Sequence, residues 1–207
     1  MKRHHLHLAI IGGLTMAAAI GGCTPDQKDN TSAAPAPMAA EPAAPAPPPA
    51  ESAPAAIPAG HAMAVLKSVD GMKVSGDLSL TAEAAGVHIS GTINGLTVGT
   101  QHGFHIHETG DCSAPDFKSA GGHFNPGNKE HGNPASDMHH AGDMMNLVVS
   151  DSGSATVDVT VPGVTLGDGG ADDVMNRAIV VHASADDYTS QPAGDSGSRI
   201  ACGVIAK

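Results

Sequence analysis

Between His105 and Asp143 the chain gathers six side chains able to bind a transition metal, together with a cysteine. Gly103-Phe104-His105-Ile106-His107 opens the stretch and Asp111-Cys112 follows; Gly121-Gly122-His123-Phe124-Asn125-Pro126 then leads to His131, His140 and Asp143. His105 and His107 are two residues apart, so a strand would send both imidazoles out of one face. The later donors sit among Gly, Asn and Pro, a composition that predicts a long loop. Imidazole and carboxylate suit Cu(II) and Zn(II), and the set exceeds what a single ion accepts. Two metals are therefore expected. Whatever fold the chain adopts has to bring a strand pair of histidines against a histidine-rich loop that closes on an aspartate.

Not all 207 residues can belong to that fold. Met1-Lys2-Arg3 is a short basic start, and Leu6 to Ile20 is an apolar run too short and too rich in Gly and Ala for a membrane span. Residues 1–22 are expected to be a signal peptide. Ile20-Gly21-Gly22-Cys23 resembles a bacterial lipobox, which would make Cys23 the lipidated first residue of the mature chain. From there to residue 60 the sequence is mostly Ala and Pro, which cannot bury enough apolar area to offset its ordering entropy. Residues 23–60 are expected to be an extended, disordered tether. Residues 61–207 are the right length for one domain with a core of its own.

With one Tyr, three Phe and no Trp, that core has to be built from Val, Ile, Leu and Ala. The formal net charge of −11 becomes more negative once Lys2 and Arg3 are removed, which argues against nucleic acid as a partner. If Cys23 carries lipid, Cys112 and Cys202 remain as a pair in an oxidising compartment. A disulfide is the default there, tying the start of the long loop to the last strand, with two buried free thiols as the other reading.

Short alternating runs broken by Gly, Asn and Asp predict strands over 64–67, 74–80, 87–93, 101–108, 145–149, 156–161, 178–182 and 200–206. Asp70-Gly71 and Asn94-Gly95 supply turns. No stretch sustains a helical period, so the class is all-β, a sandwich or barrel. Two long connections, about 109–142 and 183–198, are unusual in a compact domain and point to functional loops.

Two stretches carry a resemblance. Gly103-Phe104-His105-Ile106-His107-Glu108 and Gly197-Ser198-Arg199-Ile200-Ala201-Cys202-Gly203-Val204-Ile205 look like the two signature motifs of the copper-zinc superoxide dismutases. The spacing of His123, His131, His140 and Asp143 and the placement of His182 agree, and the resemblance spans about Ala64 to Lys207. It implies an eight-stranded Greek-key β-sandwich or flattened barrel. Copper would be held by His105, His107, His123 and His182, and zinc by His123, His131, His140 and Asp143, with His123 bridging the two ions. Asp186 would link a copper-ligand histidine to a zinc-ligand histidine, and Arg199 would be the cation at the copper mouth. The implied reaction is the disproportionation of superoxide to dioxygen and hydrogen peroxide, with His123 carrying a proton between the halves. Superoxide is an anion and the body is acidic, so local positive charge from Arg199, with Lys118 or Lys129, is needed; this family is itself a standing example of such steering.

Other residues take plainer readings. His102 falls on the opposite strand face and is expected to bond backbone. His139 adjoins His140, and the three-residue step to Asp143 favours His140 as the ligand. His61 and His88 are expected at the surface, and Met138, Met144 and Met145 as a mixture of core filler and loop. A competing class is a non-catalytic carrier of copper or zinc, which would be expected to lack a copper ligand or the arginine; a tethered interaction module would have no reason to keep a two-metal set. The expected location is the bacterial cell envelope, with the domain lipid-anchored through Cys23 and facing the periplasm, outer membrane before inner. The sequence leaves monomer and homodimer both open.

Overall fold

The computed structural model describes residues 59–207; the leader, Cys23 and the Ala/Pro-rich tether lie outside the described residues. Nine strand segments run β1 His61–Ser68, β2 Ser75–Glu83, β3 Gly86–Asn94, β4 Gln101–His102, β5 Phe104–His107, β6 Leu147–Val148, β7 Ser154–Pro162, β8 Ala178–His182 and β9 Arg199–Ala206. One 3-10 turn, Lys118–Ala120, is the helical element among the described residues. Eight runs were expected, and the ninth arises because the run over 101–108 divides at Gly103. There the backbone turns aside to bond the loop after β8: Gly103 N–H donates to Ser184 C=O, and Gly103 C=O accepts from His182 N–H.

Seven strands form one antiparallel sheet in the order β5-β8-β9-β1-β2-β3-β7, and β4 pairs with β6 separately. In β1 and β2 buried and exposed residues alternate: Ala62, Ala64 and Leu66 face the core, while Met63 and Val65 face solvent. This is the period of two expected of a sheet with one wet face. The main core is aliphatic as the composition required, with Leu78, Leu80, Ile89, Ile93, Ile106, Ile179 and Ile205 fully buried, and Phe104 and Phe124 the aromatics within it.

β5 and β8 depart from that alternation, since every residue in them is buried. Phe104 and Ile106 of β5, with Ile179 and Val181 of β8, point into the main core. Their neighbours point the other way. His105 lies opposite Val180 and His107 opposite Ala178, and both partners pack with Phe117, Ala120 and Cys202 in a second, smaller apolar cluster. The histidine pair therefore stands on the outer face of the sheet, roofed by loops rather than enclosed in the main core. Those loops are 108–146 and 183–198, close to the two that were expected. A third irregular segment, 163–177, fills the gap left between the strands expected over 156–161 and 178–182; the Asp173 carboxylate organises it by accepting N–H groups from Gly167, Gly169 and Met175.

Candidate metal centre

β5 is an edge strand, and its free edge does the assembling. Phe124 N–H donates to Ile106 C=O at 2.8 Å, Ile106 N–H donates to Gly142 C=O at 2.9 Å, and Gly142 N–H donates to Phe124 C=O at 2.9 Å. These bonds create isolated antiparallel bridges between His107 and His123 and between His105 and Asp143. The loop thus docks as a substitute strand, and its donors arrive beside those of β5 with backbone precision. Glycine is required at 142 because any Cβ there would strike Ile106 C=O.

Two groups of four donors result: His105, His107, His123 and His182, and His123, His131, His140 and Asp143. Within each group the ligand atoms lie within 4.8 Å of one another, and all seven residues are buried. His123 belongs to both. The outward nitrogens decide the tautomers. His105 Nε2 donates to Asp186 Oδ2 at 2.8 Å, His107 Nδ1 to Gly121 C=O at 3.0 Å, His182 Nδ1 to Gly197 C=O at 3.3 Å, and His131 Nε2 to Asp186 Oδ1 at 3.0 Å. Carbonyl and carboxylate oxygens only accept, so each of these nitrogens carries a proton, and the other nitrogen of His105, His107 and His182 is left to present its lone pair inward. His105 Nδ1, His123 Nε2 and His131 Nδ1 are buried with no hydrogen-bond partner in the protein. Such orphans are expensive unless something absent from the side-chain set meets them, and converging imidazole lone pairs are what a transition-metal ion would meet. His131 Nδ1 does lie 3.0 Å from Asp143 Oδ2, but without hydrogen-bonding geometry.

Charge separates the two groups. Burial, with the neighbouring His105, lowers His182 to about 3. Burial also lowers His123 to about 4, against the opposing hydrogen bond to Asp143, and His107 falls well below the ordinary imidazole value for the same reason. His131 behaves oppositely: burial works against its charge, yet the carboxylates of Asp143, 3.0 Å away, and of Asp186, hydrogen-bonded to Nε2, raise it to about 9 in the metal-free protein. Both carboxylates are held far below the usual range by the histidines around them, despite burial.

Arg199, the first residue of β9, sits half-buried beside the all-histidine group. Its guanidinium donates to Phe117 C=O and to Gly121 C=O, and the second of these carbonyls is also the one that accepts from His107. A disulfide joins Cys112 to Cys202 with Cα atoms 5.8 Å apart, holding the segment that supplies both carbonyls against β9.

The sequence model of the family described as Copper/zinc superoxide dismutase (SODC) matches residues 74–205. The chain belongs to that family. It is 45% identical over 136 residues to "Superoxide dismutase [Cu-Zn] 2" of Aquifex aeolicus, covering 64% of this chain and 80% of the relative. It is 42% identical over 149 residues to "Superoxide dismutase [Cu-Zn]" of Caulobacter vibrioides, covering 70% of this chain and 84% of the relative. Among solved structures, the SOD-like protein from Bacillus subtilis superposes with a TM-score of 0.63 at 40% identity, covering 70% of this chain and 97% of that one. Copper/zinc superoxide dismutases are oxidoreductases that use copper and zinc, and the two donor groups of this chain have the chemistry to hold both.

The structure brings His105, His107, His123, His131, His140, Asp143 and His182 into the two donor groups, with Asp186 and Arg199 hydrogen-bonded around them. His102 bonds the backbone, Nδ1 donating to His182 C=O at 2.7 Å. His139 lies outside both donor groups, His88 pairs with exposed Asp158, and His61 bonds Thr81. Met144 is buried, while Met138 and Met145 are exposed. Lys118 is exposed, pairs with Asp116 at 2.9 Å and lines the same surface depression as Arg199; Lys129 is occupied by Asp137 C=O. Sequence reasoning missed the carbonyls of Phe117 and Gly121 and the amides of Asn146 and Gln191, because a residue acting through its backbone or as one more loop amide leaves no pattern.

Proposed function

We propose that the group of His105, His107, His123 and His182 holds copper, that the group of His123, His131, His140 and Asp143 holds zinc, and that the protein disproportionates superoxide to dioxygen and hydrogen peroxide. The observation that carries the assignment is the orphaned pair His105 Nδ1 and His123 Nε2, buried lone pairs facing one group that contains no carboxylate. Four neutral imidazoles suit copper, and three imidazoles closed by a carboxylate suit a structural zinc. When bound, copper would supply the one-electron acceptor and donor for the two halves of the reaction.

The chain's own residues do the rest. Arg199, fixed by two carbonyls, presents its cation to the incoming anion and orients it towards the histidine group. His123 Nε2 is the atom suited to hold a proton between the halves, since Nδ1 on the other side of the ring stays with the Asp143 group. Asp186 keeps His105 and His131 in their tautomers. The loop roof keeps every ring of the two groups buried.

An exported, lipid-anchored life in the bacterial envelope fits the disulfide and the leader sequence, the relatives including an "Extracellular superoxide dismutase [Cu-Zn]" of Brugia pahangi at 40% identity. Cys23 would be the anchor and residues 23–60 the tether, with the outer membrane before the inner as the site of attachment. The test is to load the protein with copper and zinc, count both metals, and follow superoxide decay against His182→Ala. One ion of each per chain with rapid decay that the variant loses supports the reading. Full occupancy with decay no faster than the variant's overturns it in favour of a metal carrier.

A further inference from the structure

Loops 108–146 and 183–198 are joined by two side-chain amides working in opposite directions. Asn146, near the end of the earlier loop, accepts from Asp186 N–H at 2.8 Å through Oδ1 and donates from Nδ2 to Asp186 C=O at 2.9 Å. Gln191, in the later loop, accepts from His131 N–H at 2.9 Å through Oε1 and donates from Nε2 to His131 C=O at 2.8 Å. Each amide takes both backbone groups of one residue, as a neighbouring strand would. The two residues gripped are themselves bonded, His131 Nε2 to Asp186 Oδ1 at 3.0 Å.

Gln191 has little else to do. Its one other contact is a long one, Nε2 to Thr189 C=O at 3.5 Å. His131, by contrast, is completely determined: Gln191 fixes its backbone, Asp186 fixes its far nitrogen, and the buried Nδ1 is left facing the carboxylate-closed group. The packing leaves no slack, since a Cβ added at Gly194, three residues beyond Gln191 and at a positive φ of 65°, would overlap the Asp186 carboxylate and the His131 ring.

We propose that Gln191 is a positioning residue for the zinc ligand His131, its amide holding both backbone groups of that residue so that Nδ1 is aimed before the ion arrives. The proposal rests on the assignment of the carboxylate-closed group to zinc. Preorganisation of this kind raises affinity by removing an ordering cost from the binding step, and outer partners of metal ligands act through it.

The experiment uses the full chain as parent, Gln191→Ala and Gln191→Glu. Zinc affinity is read by competition with a chromophoric chelator, the zinc position by its Co(II) spectrum, and the fold by thermal unfolding of the metal-free protein. Gln191→Glu keeps the length and the acceptor but sets a carboxylate oxygen against His131 C=O. Zinc affinity is expected to fall about 10-fold or more in both variants, with altered Co(II) bands and an unchanged Cu(II) spectrum from the four-imidazole group. Unchanged zinc affinity and cobalt bands in the two variants would overturn the proposal. So would a zinc loss confined to Gln191→Ala and accompanied by loss of its folded metal-free state. A parent that takes up no zinc would overturn the zinc assignment along with it, and the parent measurement alone tells that outcome from the others.

Discussion

The two donor groups share one histidine and one sheet face, yet their electrostatics are opposite. The group of His105, His107, His123 and His182 contains no carboxylate, and burial drives His107, His123 and His182 towards the neutral form. The group of His123, His131, His140 and Asp143 is built around a buried carboxylate that the histidines keep ionised. One group is a set of neutral lone pairs open towards Arg199; the other is a charged, closed cage. Burial alone does not decide what a cluster of histidines is for. The partners of their outward nitrogens, and the presence of one aspartate, do.

The sharpest way to break the comparison is to remove that aspartate. Asp143→Ala is expected to weaken zinc binding by more than the roughly 100-fold that bounds the loss of an outer partner, while the four-imidazole group keeps its copper; metal analysis after dialysis against a chelator checks both. On the open side, Arg199→Ala should leave both metals in place and lower the rate of superoxide decay about 10-fold or more, within the span of local electrostatic focusing, for which this family is a standing example. The slope of that rate with ionic strength should flatten as well.

The disulfide variant Cys112→Ser/Cys202→Ser separates the two sides by their scaffolds. It is expected to destabilise the metal-free protein by about 2–5 kcal/mol in denaturant unfolding. It should disturb the copper side first, because the freed segment carries the carbonyls that hold His107 and Arg199. The smallest effect lies in pH. His123 at about 4 and His182 at about 3 bind protons more readily once unfolded, so their share of metal-free stability is present above the ordinary value of 6.5 and is lost as pH falls below it. His131, raised to about 9, contributes in the other sense, lost as pH rises through 9. Urea unfolding of the metal-free protein should therefore show stability greatest near pH 6.5, where the two windows meet, and falling on either side.

Much of this was legible because metal ligands are chemically rare and strands have a fixed period. The i, i+2 step of His105 and His107 on one strand and the alternation in β1, β2, β3 and β7 follow from residue type and spacing, and Asp143 joins the histidines of its loop in one donor group. The docking of the loop onto the free edge of β5 was not legible, since it depends on backbone groups that every residue carries. Nor were Asn146 and Gln191, whose amides resemble any others in a polar loop until their partners 40 and 60 residues away are known. The division of β5 from β4 turns on one glycine pairing with a loop that no periodicity announces.

The seating of the ligands on the outside of the sheet has a consequence for how such a chain can change. In β5 and β8 the side chains that fill the core and the side chains that join the donor groups are different residues on opposite faces of the same strands. A mutation that erases a ligand leaves the interior packing intact, so the scaffold can outlive its chemistry and the chemistry can be retuned without rebuilding the scaffold. Folding and metal acquisition are separate inheritances, carried by alternate letters of the same short stretch of sequence.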